Sequence, residues 1–389
     1  MFVVESRTGK HTHIRPPFPG TIRVLLAAAL VTILCYAVPS SAQESDAGWT
    51  FENDGFAELW FHGLAVVGYY GFGPMPLYDP GYVLDARSDR QARGLDATPL
   101  EGDRATFLRA FQNDDAFEVL HFVPAYYRGA GRSSAMESLK AVAEAPSGVP
   151  PVRDEAARVG SAVVAQVLAS PAQRETLRTF LQRLEEEWTA VVAPRRQQAA
   201  AEHQAVLAEL KARWQTDYEG PLSSFLEAEE LGQGSVMLAT GLGAEGRFVP
   251  ASGPLDRGPV VALSMPRGEI TVDAVPSSLV RELCFPAVRR AFVPFEGRFP
   301  TRVEASRASD LAATRCGELL LERHAPAQVA AYRTRFGIPA SGTGRGFLSA
   351  SGQMTGAAAF EGQLEAAIAR ELNLDLDGVR ADALPVGRN

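Results

Sequence analysis

Soft metal ligands are scarce in this chain. Its 389 residues include three cysteines (Cys35, Cys284 and Cys316) and six histidines. No C-x-x-C or H-x-x-x-H spacing occurs, so a zinc site has no local pattern to build on and no metal or cofactor is expected. G-x-S-x-G is missing, which removes the support for a nucleophile-elbow serine hydrolase. The loop GTGRG at 342–346 lacks the Gly-Lys-Ser/Thr ending with which a phosphate loop grips a nucleotide. Lysine is nearly absent too, with Lys10, Lys140 and Lys211 the whole complement, so arginine carries almost all the positive charge. Long apolar runs are confined to one place, Val24–Val38.

That run is preceded by Lys10, Arg15 and Arg23 and followed by Pro39-Ser40-Ser41-Ala42. Positive charge, a short apolar core and small residues are the parts of a secretory signal. Residues 1–42 are therefore expected to direct export to the periplasm or the extracellular space, with cleavage after Ala42. The alternative is an uncleaved N-terminal membrane anchor, although a spanning helix needs about 20 apolar residues. Bulky Leu34 before Cys35 argues against lipid attachment. Removing 1–42 takes Arg7, Lys10, Arg15, Arg23 and Glu5 from 38 basic and 46 acidic residues, leaving 34 and 45 and a net charge of −11. Nucleic acid and anionic membrane both require a positive surface, so neither is an expected partner. The open choices are a protein, a peptide or a small-molecule ligand. No stable membrane span is expected after cleavage.

The pattern along the mature chain predicts a helix-dominated α+β fold. Residues 43–55 are polar and read as a disordered lead-in. A helix over 54–70 places Phe56, Leu59, Trp60, Leu64 and Val67 on one stripe. An aromatic Gly/Pro loop follows, then helices near 82–93, 103–121 and 133–145, completing an N-terminal helical region at 43–150. Ser170-Pro171-Ala172-Gln173 combines an N-cap serine, a first-turn proline and a capping-box glutamine. The amphipathic run behind it, with Pro194 as a kink or stop, predicts a long helical hairpin or one bent helix within 151–233. Glu185, Glu186 and Glu187 read as its solvated face. A small sheet plus two helices is expected at 234–336, with strands at 235–240, 259–266 and 268–275 and helices at 277–293 and 304–324. A flexible loop and a final helix at 360–372 fill 337–389.

Three local patterns have ordinary readings. Gly241-Leu242-Gly243-Ala244-Glu245-Gly246 matches G-x-G-x-x-G after a strand, but Pro250, Gly253 and Pro254 come too soon for the helix that a dinucleotide site requires. It is expected to be a hairpin loop. Glu118 and His121 form a single E-x-x-H pair where a di-iron bundle needs two, so His121 is expected to be a half-buried residue without that role. Trp60, Phe61, His62, Tyr69, Tyr70, Phe72, Tyr78 and Tyr82 concentrate rings around the Gly/Pro loop, as core or as a ligand pocket. Helical spacing favours the core.

The segment at 276–292, PSSLVRELCFPAVRRAF, carries the most chemistry. Leu279, Val280, Leu283, Cys284, Ala287, Val288 and Ala291 form an apolar helical stripe behind the expected strands. In arrangement it resembles the active-site helix of zincin metallopeptidases, in which H-E-x-x-H follows a small sheet. That motif works because two histidines one turn apart grip zinc while the glutamate polarises its water. Here the aligned residues are Arg281-Glu282-Leu283-Cys284-Phe285. The glutamate is kept, while Arg and Phe replace both ligands. The resemblance implies the zincin arrangement without its metal, because a guanidinium has no free acceptor. The simpler reading is an amphipathic core helix with an Arg281–Glu282 surface pair. Cys284 and Cys316 lie on the stripes of consecutive helices, and an oxidising compartment then favours a bridge between them. Two functions are compatible with these residues. One is a catalytically inactive zincin-like or helical binding module. The other is a hydrolase with Glu282 as general base and a non-standard site drawn from His324, Glu304 or Asp310.

Overall fold

A computed structural model describes residues 48–69, 77–95, 97–250, 258–268, 270–338, 348 and 360–374. The export segment at 1–42, Tyr70, Phe72 and the loop at 342–346 lie outside the described residues. Four strands form one sheet: β1 (Trp49–Glu52), β2 (Gly234–Ala239), β3 (Arg247–Val249) and β4 (Val260–Ser264). Their order is β1-β2-β4-β3, with β1, β2 and β4 parallel and β3 antiparallel at the edge. The longer helices are α1 (Gly55–Val67), α2 (Pro80–Ala92), α3 (Arg104–Asn113), α4 (Gly131–Glu144), α5 (Glu155–Val167) and α6 (Pro171–Glu187). They continue with α7 (Ala193–Arg213), α8 (Gly220–Ala228), α9 (Ala274–Leu283), α10 (Phe285–Phe292), α11 (Arg302–His324), α12 (Val329–Phe336) and α13 (Glu361–Glu371). The fold is helix-dominated α+β.

Every residue of β2 and β4 is buried. Alternating side chains point to opposite faces of a strand, so such a sheet needs a layer on each side. Met237, Ala239, Val260 and Ala262 join the core formed by α1 and the helices around it. Val236, Leu238, Val261 and Leu263 join a second core with Leu279, Leu283, Ala312 and Leu320 from α9 and α11. The aromatic residues at 60–82 belong to the first of these: Trp60, Phe61, Tyr69, Tyr78 and Tyr82 are all buried. They are core and not pocket.

One helical path links the two layers. The chain stays in right-handed helical conformation through the junctions at Glu187, Val192, Arg213 and Glu219. The two arrangements expected here thus resolve as one bent helix, and the hairpin is corrected. Two π turns, Trp188–Val192 and Trp214–Glu219, interrupt it. Each is followed two residues later by a proline, Pro194 and Pro221. A proline ring clashes with the carbonyl four residues earlier, and the wider π turn relieves that crowding without ending the helix. The capping box at its start forms as expected, with Ser170 Oγ accepting from Gln173 N at 3.2 Å and Gln173 Oε1 accepting from Ser170 N at 2.9 Å.

Other expectations change. Residues 49–52, within the presumed disordered lead-in, form β1 against β2. The third expected strand, 268–275, gives one isolated bridge between Arg267 and Ile270, a left-handed turn at Gly268 (φ +55°) and then the start of α9. The edge position goes instead to Arg247–Val249. The expected helix over 103–121 breaks at Asp114, whose extended backbone and side-chain cap on Ala116 N (3.0 Å) start a 3-10 turn.

Helix α1 lies close to α6 because Gly63 has no side chain. A β-carbon there would overlap Leu184 and sit 3.2 Å from Phe180. Gly63→Ala is expected to cost about 1–3 kcal/mol through overpacking. Urea unfolding of both proteins measures this directly, and an unchanged midpoint would refute the close approach.

Candidate functional site

Helix α9 presents Glu282 to the inside of the molecule. All ten of its residues are buried, because β3 and β4 cover one side while α11 and α12 cover the other. Cys284 N bonds back to Arg281 O (3.2 Å), and Pro286 takes the second position of α10. A proline ring inside a helix removes an internal hydrogen bond, and the helical segment here is divided into two short helices at Cys284.

Arg281 and Glu282 are each 1 % exposed, so the expected surface pair is a buried one. Arg281 Nη1 donates to Glu282 Oε1. Its Nη2 donates to Asp310 Oδ1 at 3.2 Å and its Nε to Thr314 Oγ1 at 3.2 Å, both on α11. A second ion pair, Arg247–Glu245, lies beside it and is felt electrostatically by Glu282 and Asp310. Arg247 also donates to Gly246 O at 2.9 Å. Gly246 gives the loop room to approach. A β-carbon there would stand 2.6 Å from Leu263 Cδ2 and 2.7 Å from Glu282 Cγ. The last glycine of the G-x-G-x-x-G match therefore serves packing, and the loop leads into β3 and not into a helix. Tyr332 on α12 closes the far side, donating to Thr314 O at 2.8 Å.

The cluster holds three carboxyls and two guanidiniums. Burial raises the pKa of Glu282 despite the neighbouring Arg281 and Arg247. Burial likewise pushes Asp310 up to about 7, opposed by Arg281 and reinforced by Glu245. Arg281 stays protonated: burial opposes its charge, but Glu282 and Asp310 more than offset that.

Among the described residues, no three His, Cys, Asp or Glu side chains are arranged to hold a metal ion. Of the residues considered for a non-standard site, only Asp310 reaches the cluster. Glu304 is at the start of α11, where its backbone is capped by Thr301 (3.1 Å). His324 closes the same helix, roughly 21 Å from Asp310 at 1.5 Å per residue. Cys284 and Cys316 are fully buried with their sulfurs at disulfide distance and their α-carbons 6.0 Å apart. Phe285 has its ring centroid 5.3 Å from the Arg281 guanidinium.

A second buried polar group escaped the sequence reading. His62 Nε2 donates to Glu187 Oε2 at 2.9 Å, since a carboxylate only accepts, and His62 Nδ1 is 2.8 Å from the Tyr82 hydroxyl. Glu187 is fully buried and not part of a solvated face. The signal was present: Glu187 continues the apolar stripe Phe180, Leu184, Val191 at helical spacing. His121, expected to be half-buried, is instead buried, 2.8 Å from the Tyr78 hydroxyl and stacked on Tyr69. Burial, aided by Arg247, lowers its pKa well below the usual histidine range.

No family model matches the chain, and no curated protein or solved structure matches it either.

Two measurements probe the cluster. Arg281→Met leaves Glu282 and Asp310 buried without their cation and is expected to cost about 3–5 kcal/mol, read from denaturant unfolding at pH 7. Asp310 has a folded pKa above its unfolded value, so its contribution is fully present below about pH 4 and is lost as pH rises through about 7. Stability should fall across that window by an amount on the order of 2–4 kcal/mol, at about 1.4 kcal/mol per unit. Asp310→Asn should flatten the dependence, and a variant with the wild-type slope would contradict this assignment.

Proposed function

We propose that this is an exported, catalytically inactive zincin-like protein that acts by binding a partner or ligand rather than by hydrolysis. The observation that carries the reading is the Arg281 side chain. It occupies the position of the first metal ligand in the zincin-like alignment and spends its donors on Glu282, Asp310 and Thr314. A general base must reach a water or substrate proton. Glu282 is instead enclosed by a guanidinium, Leu263 and the backbone of Gly246. A protonated guanidinium cannot ligate zinc. Support for the zincin-like ancestry comes from the small sheet ahead of α9 and from Asp310, supplied by the next long helix to the same place.

Export rests on the 1–42 segment and agrees with the Cys284–Cys316 pair. Among the described residues, no helix is long and apolar enough to cross a membrane. In an oxidising compartment the two thiols would form a bridge closing the α10–α11 connection, stabilising by roughly 3–4 kcal/mol on the chain-entropy model.

Purified exported protein is expected to contain no stoichiometric zinc and to show no Glu282-dependent peptide cleavage. Zinc at one equivalent, together with cleavage abolished by Glu282→Gln, would establish the hydrolase alternative. Intact-mass analysis after alkylation without reductant should leave Cys284 and Cys316 unmodified. Alkylation of both would remove the bridge from this account.

A further inference from the structure

Two loops are sewn together beside His121. Asp79 N donates to Gly241 O at 3.2 Å and Gly243 N donates to Leu77 O at 2.6 Å, with Tyr78 bridged to Leu242 between them. From Gly241 a strap runs through Glu245 into β3, and Arg335 on α12 donates to Ala244 O at 3.4 Å. Tyr78 belongs to the first core, where its hydroxyl is 2.8 Å from His121 Nδ1. Arg247, at the far end of the strap, pairs with Glu245 and lies in the field of Glu282 and Asp310. The same guanidinium acts on Tyr78 and on His121. It thus stands between the buried charges of the second layer and the His121–Tyr78 pair of the first.

His121 has nothing to balance a charge of its own. It is 5 % exposed, and its contacts among the described residues are the ring and hydroxyl of Tyr78 and the ring of Tyr69, stacked at 4.5 Å. Charged groups stand on the elements packed around it: Asp115 and Glu118 on its own 3-10 turn, Glu58 on α1, Arg104 and Arg109 on α3, Glu155 and Arg158 on α5, Glu245 and Arg247 on the strap. Of these only Arg247 bears on the imidazole, and it opposes a second positive charge. The stretch between Tyr69 and Leu77, YGFGPMP, contains no charged residue. A neutral imidazole can accept a hydrogen bond from Tyr78, whereas an imidazolium can only donate one. Burying an unpaired cation beside another is costly.

We propose that His121 is the acid-sensing group of a latch between the layers. When it takes up a proton, Leu77–Asp79 and Gly241–Gly243 part while both cores stay folded. Opening carries Arg247 away from His121 and lets water reach the imidazole. Burial and Arg247 hold the folded value below the ordinary 6.5, so the closed latch is favoured above about pH 6.5 and is weakened as pH falls below it. One proton taken up on opening shifts the opening equilibrium by up to about tenfold per pH unit. Asp310 acts on overall stability in the opposite sense over this range, so the latch must be read locally. It is independent of the fate of Glu282.

Hydrogen exchange of the full chain, followed by mass spectrometry and corrected for the intrinsic pH dependence of amide exchange, separates these motions. Between about pH 7 and pH 5, protection of peptides covering 77–82 and 241–249 should fall about tenfold or more, with peptides from α9 and α11 unchanged. His121→Phe keeps a ring against Tyr69 but takes up no proton, and its strap protection should be flat over the same range. His121→Gln can still hydrogen-bond Tyr78 and should behave in the same way. An acid-insensitive strap in the wild type would overturn the proposal. Loss of protection spread evenly over both layers would do so too, as would an undiminished loss in either variant.

Discussion

Covering both faces of β2 and β4 is the constraint that organises the molecule. Parallel strands with no exposed side need a layer above and a layer below. Here the layers come from opposite ends of the chain, α1 to α6 on one side and α9 to α13 on the other. The run from Pro171 to Ala228 connects them and leaves the helical path nowhere between. Its two π turns let Pro194 and Pro221 sit inside a helix that their rings would otherwise have ended.

The same constraint explains why α9 carries charge into the interior. Pressed between the sheet and α11–α12, it has no solvent-facing side, so any polar residue on it must be answered locally. Arg281 is answered by Glu282, Asp310 and Thr314, and the neighbouring Arg247 by Glu245. Such a network is costly to assemble and costly to break in part. It ties the glycine-rich loop, the α9 helix and the first half of α11 to one another.

How much of this could be read in advance varied with the range of the cause. The capping box at Ser170 and the helix behind it were legible because three adjacent residues carry the signal. The buried strands β2 and β4 were legible as short β-branched apolar runs. Strand β1 was not, since four residues give too little alternation and its partner is far away in sequence. The break at Asp114 was missed because an aspartate can cap or simply face solvent. Within the site, the Glu282 helix and the pairing of Cys284 with Cys316 followed from stripes of apolar residues. The roles of Glu245, Arg247 and Asp310 did not, because which charges meet in a core depends on tertiary packing. Glu187 was misread as solvated although it sits in register with Phe180, Leu184 and Val191, the triple-glutamate run having masked its position.

Strand β1 also fixes an order of events. It pairs in parallel with residues about 185 positions later, and the loop-closure entropy of such a contact must be met before the contact gives anything back. A chain emerging from its N-terminus can build α1 to α6 from local contacts, but Trp49–Glu52 must wait as an unpaired segment until β2 and β4 have appeared. The sheet cannot form before β4 has emerged, and α9 to α13 follow it in the chain. Until then the inward faces of α1 and its neighbours have no cover. That interval is when a chaperone would find the most exposed apolar surface to hold.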